Sequence, residues 1–326
     1  MEGIHIRIIQ KGRDLPEMKA DNFFHSPELF RITEQTPGTT PYMVVAENAQ
    51  GQCIAHLLAT IRRRGTLIPP FLYANGRIYG QGEYDSSIQH PEELFRMMLE
   101  AITQKFKRHL CFYVEVSEIH PKMFGYRMFR LCHYFPIHWQ EIHNSLHSKD
   151  PQERLTRKIH LRIEKAYAQG VETRAAYSPE EVHKFYKLLK GFYRIKFRRL
   201  IPPEKQFSEL SRNDKAQILV TLYHGKLIGG SVCVYSQGNA YLWYLASKRK
   251  SYPTLHPNTM TIWYAIQYAY EHHYAHVYFM DVGLPFKKNP FRDFILRFGG
   301  KPVARYRWFH FYFPLLNRFL GWLFKE

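Results

Sequence analysis

The sequence predicts an α+β protein built from two tandem domains. Each domain is a mixed, mostly antiparallel sheet flanked by helices. Three observations carry this prediction. The chain has 326 residues, enough for two domains of about 150 residues each. An order of hairpin, strand, helix, strand, helix, strand is repeated in its two halves. Charge is divided unequally: residues 1–150 hold 17 basic and 16 acidic side chains, whereas residues 151–326 hold 29 and 12.

The hairpins come first in each half. Tyr42–Ala46 leads to a turn near Gly51 and on to an apolar run from Cys53. Gln217–Tyr223 leads to a turn at Gly225 and then to LIGGSVCVY. An apolar strand, a Gly turn and a second apolar strand form a hairpin pattern. Strand-like stretches follow at Arg77–Gln81 and Asn239–Ala246. A helix then opens at Pro91, with Glu92 and Glu93 beside it, and another follows Pro257, with Asn258 or Thr259 as its cap. Short buried strands come next, one carrying Glu115 and one ending in Asp281. Each half closes on a short helix and a last strand, YFPIHWQ and PVARYRWFHFYF. The second half also has a leading strand at Val171, a helix capped by Ser178, and a short helix after Pro202–Pro203. These elements place a degenerate domain at 1–150, an intact basic domain at 151–313 and an apolar C-terminal helix at 314–326.

Composition narrows the function. The 45% hydrophobic content excludes a disordered chain. No run reaches the length of a membrane span, and the N-terminus carries no secretory pattern. Cys53, Cys111, Cys132 and Cys233 are widely spaced, which predicts reduced buried thiols in a cytoplasmic protein. The net charge of +18 predicts an anionic partner.

The second half resembles the Fem-type (FemABX-like) acyltransferases of the GNAT superfamily. The resemblance rests on RKIHLRIEKAYAQGV (Arg157–Val171), HGKLIGGSVCVY (His224–Tyr235), LHPNTMTIWYAIQYA (Leu255–Ala269), FMDVG (Phe279–Gly283) and FRDFILRFGG (Phe291–Gly300). It covers residues 150–310 by motif and 40–140 by order of elements. It implies a tandem acyl-CoA N-acyltransferase fold. It also implies an enzyme moving an acyl group from a thioester to an amine of an envelope, polysaccharide or lipid precursor. The co-substrate would be acyl-CoA or acyl carrier protein, with no tightly bound cofactor. Two departures matter. The family's Lys in its last motif is Ile295 here, which argues against a tRNA donor; in the peptidoglycan enzymes that Lys holds the aminoacyl end. The Gly-rich pyrophosphate loop of common GNAT enzymes is replaced by ASKRKSYPTLHPN.

The residues suggest how such chemistry would run. A helix start with cations upstream binds donor phosphates, which points to Asn258 and Thr259 with Lys248, Arg249 and Lys250. Asp281, at a strand end, accepts the amine proton or orients the amine, unless it only caps the turn that follows. Tyr244 is the second catalytic candidate. Trp243 lines an acyl or acceptor channel with Tyr241, or packs as ordinary core. Arg157, Arg162 and Lys165 on the basic helix, with Arg297, complete the substrate-binding set. A second basic cluster, Tyr193–Arg199, adds to the cationic surface. His143 and His147, and His272, His273 and His276, match no metal-ligand pattern. The last segment, with Leu315, Leu316, Phe319, Leu320, Trp322 and Leu323, packs onto a domain or lies on the inner membrane surface.

Two competing readings remain open. One is a tRNA-dependent aminoacyl transferase, which explains the charge equally well. The other is a non-catalytic protein that holds an anionic ligand.

Overall fold

The computed structural model describes residues 3–67, 70–119, 123–193 and 201–324. In chain order the elements are β1 (His5–Ile9), α1 (Pro27–Glu34), β2 (Thr39–Glu47), β3 (Cys53–Leu67), β4 (Pro70–Tyr79), β5 (Glu83–Tyr84), α2 (Pro91–Arg108), β6 (Cys111–Ser117), α3 (Tyr126–Leu131) and β7 (Phe135–Ser145). Then come α4 (Arg157–Ala168), β8 (Val171–Ala175), α5 (Pro179–Tyr193), α6 (Glu204–Leu210), β9 (Ala216–Tyr223), β10 (Lys226–Ser236), β11 (Asn239–Ser247), α7 (Pro257–Glu271), β12 (His276–Phe279), α8 (Pro290–Ile295), β13 (Lys301–Phe311) and α9 (Pro314–Leu323). The α+β class and the repeated order expected from the sequence are both present.

Two compact units result: Met1–Trp139 with Arg305–Glu326, and Gln140–Ala304. The expected divisions at 150 and 313 are therefore displaced. The reason lies in the last strands. In unit 1 the strand beside β6 is β13, which pairs antiparallel from Arg307↔Ser117 to Phe311↔Tyr113. In unit 2 the strand beside β12 is β7, from His276↔Ser145 to Phe279↔Ile142. Each unit thus ends in a strand from the other half of the sequence. Side chains specify the exchange. Arg307 binds Glu115 at 3.2 Å, and Trp308 stacks on Phe129 with ring centroids 4.4 Å apart. In unit 2, the Asn144 amide donates to the Phe298 carbonyl at 3.1 Å.

Unit 1 orders its strands β1-β2-β3-β4-β6-β13, with β5 beside β3. Pro91 starts α2, Glu92 and Glu93 face its positive end, and Lys105, Lys107 and Arg108 face its negative end. Its Leu94, Phe95, Met98, Leu99, Ile102 and Phe106 recur at helical spacing and are buried on the sheet.

Unit 2 orders its strands β7-β12-β11-β10-β9-β8. Consecutive glycines in β10 let helices approach from both faces. A Cβ on Gly229 would meet Thr261 of α7, and one on Gly230 would lie 2.7 Å from the Phe185 ring of α5. So α7 covers one face and α5 the other. α7 is expected to be capped by Asn258 or Thr259. It instead begins at Pro257, with His256 at the cap position in left-handed conformation (φ 46°). The proline fixes the first helical φ, which moves the start two or three residues earlier.

Candidate functional site

In both units a helix carries the chain between two parallel strands, and the two parallel pairs differ. In unit 1 the β4–β6 ladder runs over six residue pairs, from Ala74↔Cys111 to Tyr79↔Ser117. In unit 2 the β11–β12 ladder runs over three, from Ala240↔Val277 to Leu242↔Phe279. β12 ends there, while β11 continues to Ser247. A bulge marks the parting: Cys233 pairs with Leu242 and Val232 with Tyr244, so Trp243 is the extra residue. Bulges re-aim side chains and interrupt pairing beside active sites. In open sheets, ligands settle where neighbouring strands diverge at their carboxyl ends.

Asp281 lies at this parting, two residues beyond β12, and is half-buried. The sequence reads as one strand through Asp281; the strand stops earlier because its ladders with β11 and β7 both stop at Phe279. Its counterpart in unit 1, Glu115, sits inside β6, clamped by Arg77 and Arg307. Trp243 and Tyr244 are both buried. The Tyr244 ring packs on Phe207 of α6 at 5.4 Å and on Trp243 at 5.7 Å. It walls the face of the sheet that α5 and α6 cover.

A row of side chains crosses the same strands one residue before the parting. Tyr278 of β12 stands opposite Tyr241 and opposite His143 of β7. The Tyr241 and Tyr278 rings are 4.9 Å apart, and those of His143 and Tyr278 4.1 Å. His143 Nε2 is 2.9 Å from a carboxylate oxygen of buried Glu141. If that nitrogen carries the proton and donates to Glu141, Nδ1 holds a free lone pair, the arrangement of a general base. This pair is absent from the sequence-based set. Its only signal was spacing: residues two apart share a strand face.

The start of α7 gathers cations. Burial, followed by the charges of Arg162 and Lys165 on α4, lowers the pKa of His256 below the ordinary histidine range. Two of the expected substrate-binding residues therefore converge on the helix start that carries Asn258 and Thr259. Asn258 reaches the Ser247 hydroxyl at 3.4 Å, which ties the helix start to the end of β11; Thr259 is buried. Lys248, Arg249 and Lys250 are exposed in the turn after β11. Arg157 and Arg297 are also exposed but lie elsewhere. The Thr156 N–H donates to the Arg297 carbonyl, placing both at the far end of α4. The cluster at 194–199 lies outside the described residues.

Burial makes His256 neutral near pH 7, and a bound phosphate would favour its charged form. Anion binding should therefore take up a proton. Affinity for adenosine 3′,5′-bisphosphate, a fragment of CoA, is expected to rise from about pH 8 to about pH 6. His256→Asn should flatten that dependence in calorimetric titrations.

A cavity of about 670 Å³ opens beside the end of β11, on the α5 face. Lys184, Lys187, Lys226 and Lys248 surround it above Leu188 and Leu227. Lys184 pairs with Glu180 at 2.8 Å. Among the described residues, Lys187, Lys226 and Lys248 have no carboxylate partner. Such a cage suits an anionic ligand with an apolar portion. Reversing Lys187 and Lys226 to Glu is expected to raise KM for that ligand about tenfold at low salt. The effect should shrink as salt is added.

The cysteines are poor nucleophiles. Burial pushes the thiol pKa of Cys53 up to about 11, and those of Cys111, Cys132 and Cys233 up to about 12. Fewer than about one thiol per native chain should react with a disulfide reagent near pH 8, and all four after unfolding. Among the described residues, no group of three or more His, Cys, Asp and Glu could hold a metal ion. No described helix is long and apolar enough to cross a membrane.

Comparison with known proteins bears on the fold. Residues 154–288 match the family model Acetyltransf_6, described as an acetyltransferase (GNAT) domain. A sequence comparison with curated proteins finds no match. Among solved structures, FemX is similar over 95% of this chain and 96% of its own, with TM-score 0.64 and 10% identity. A tandem GNAT protein from the clavulanic acid biosynthesis pathway is similar over 94% and 98%, with TM-score 0.57 and 11% identity. L-PGS from Bacillus licheniformis is similar over 91% and 92%, again with TM-score 0.57 and 11% identity. The chain thus has a tandem fold like that of FemX and of the tandem GNAT protein, and residues 154–288 match a GNAT acetyltransferase domain model.

Proposed function

We propose that this protein is an N-acyltransferase that uses a thioester donor, acyl-CoA or acyl carrier protein, and acylates an amine. The observation that carries this reading is the early parting of β11 and β12 in unit 2, where unit 1 keeps its parallel pair zipped. A parted strand presents backbone groups along which an extended acyl-bearing chain can lie and which can polarise its carbonyl. The donor's phosphates would sit at the start of α7, near His256, Arg162 and Lys165, with Lys248–Lys250 at the rim. The amine would approach from the α5–α6 face, over Tyr241, Tyr244 and Tyr278. Asp281 would orient it, and His143, its tautomer set by Glu141, would take its proton. The amine nitrogen then bonds to the carbonyl carbon, the carbon–sulfur bond breaks, and the leaving thiolate takes the proton that His143 accepted.

Its acceptor would be an envelope, polysaccharide or lipid precursor. Aminoacyl transfer from tRNA is the second reading, and the likeness in fold to FemX favours it. Against it stands Ile295, the position where the resemblance places a lysine. Its side chain is fully buried in the core of unit 2, and exposed Arg297 lies two residues on. An acetyl-transfer assay with a panel of polyamines and amino sugars, run beside charged tRNA, separates the two.

A further inference from the structure

α9 carries an apolar stripe turned the wrong way for a core. Its inner side is fixed to unit 1. The Asn317 amide donates to the His133 carbonyl at 3.0 Å and its oxygen accepts from the Phe311 N–H at 2.8 Å. Phe324 stacks on Phe135. Four other residues, Leu315, Phe319, Trp322 and Leu323, recur at the spacing of one helix face. They are 82%, 55%, 69% and 56% exposed. No residue of α9 is buried.

The exposed face continues beyond the helix. Phe313, just before α9, contacts Phe112 at 5.5 Å, and Phe112 follows Leu110, which is 86% exposed. The Tyr312 hydroxyl donates to the Thr103 carbonyl at 2.8 Å, which brings the end of α2 alongside. That end carries Lys105, Lys107 and Arg108, and α9 adds Arg318. Neither segment forming the surface, 101–114 or 302–325, contains an Asp or Glu.

We propose that this face of unit 1 docks on an anionic lipid bilayer. A second copy of the chain would bring cations against cations, whereas acidic headgroups neutralise them. The apolar stripe with a tryptophan, next to basic residues, has the composition of a helix lying in the membrane interface. The surface is separate from the site in unit 2, and the proposal stands whichever donor that site takes.

The test is flotation of the full chain with vesicles of phosphatidylglycerol and phosphatidylcholine, and with phosphatidylcholine alone. The wild-type chain should float with the first and not the second. The variant L315S/F319S/W322S should bind the first at least about tenfold more weakly at an unchanged melting temperature, because only exposed side chains change. Charge reversal by K107E/R108E/R318E should weaken binding independently of the apolar changes. Failure of the wild-type chain to float, equal flotation with both vesicles, or equal binding by the variants would overturn the proposal. So would elution at twice the 39.0 kDa chain mass that the triple serine variant abolishes, because a second copy would then cover the face.

Discussion

Asp281→Asn is expected to lower kcat by about 10²- to 10⁴-fold while leaving the melting temperature close to wild type, the range typical for losing one positioned acid–base group. Asn is nearly the same size and keeps one acceptor oxygen, but it loses the charge that holds an ammonium or a developing cation. His143→Gln should cost a similar factor, and Glu141→Gln a smaller one, because the ring then remains but its tautomer is no longer fixed. A folded Asp281→Asn enzyme with unchanged kcat would remove Asp281 from the mechanism. A folded His143→Gln variant with unchanged kcat would place the base elsewhere.

Gly230→Val should be the most damaging single change in unit 2 outside the site. A Cβ there lies 2.7 Å from the Phe185 ring and 2.9 Å from the Leu219 carbonyl oxygen, and neither can withdraw without opening the sheet or lifting α5. Overpacking of this kind costs about 1–3 kcal/mol, and a backbone oxygen in the way puts this case at the upper end. Gly229→Ala should act differently. Its Cβ meets Thr261, whose hydroxyl donates to the Pro257 carbonyl at 2.8 Å and shares a hydrogen bond with Thr221 at 2.9 Å. Relief would shift the first turn of α7, so donor affinity should fall more than stability. Gly225 provides the control. It sits at φ +69° with nothing within 4 Å of a Cβ, so Ala there should cost only local backbone strain, about 1–2 kcal/mol. Urea unfolding midpoints, read beside donor titrations, separate the three.

Much of this architecture is legible in the sequence because its signals are local. Gly51 and Gly225 between apolar runs announce the hairpins, and Pro91 and Pro257 announce the crossover helices. What the sequence hides is tertiary. β7 and β13 occupy equivalent places in the order of elements, so exchanging them between units leaves that order unchanged. Asp281 continues an apolar run without a break, and the strand ends before it because the ladders with both β11 and β7 stop at Phe279. His256 carries no helix-capping pattern, and the approach of Arg162 and Lys165 depends on how α4 meets α7. Glu141 and His143 are an unremarkable pair in sequence; the strand pairing to Tyr278 sets them beside the parting. The stripe of α9 has the same periodicity whether it faces a core or solvent, so its exposure could be learned only from the fold.

The most direct test of a thioester-using site is the melting temperature of the full chain titrated with acetyl-CoA, long-chain acyl-CoA, acyl carrier protein and aminoacyl-tRNA. At a hundredfold excess over Kd, a ligand of the native state adds about 2.7 kcal/mol, which reads as a shift of several degrees. The account predicts a saturating shift with at least one thioester, reduced by charge reversal at Lys248 and Lys250. A shift with aminoacyl-tRNA and none with any thioester would contradict it.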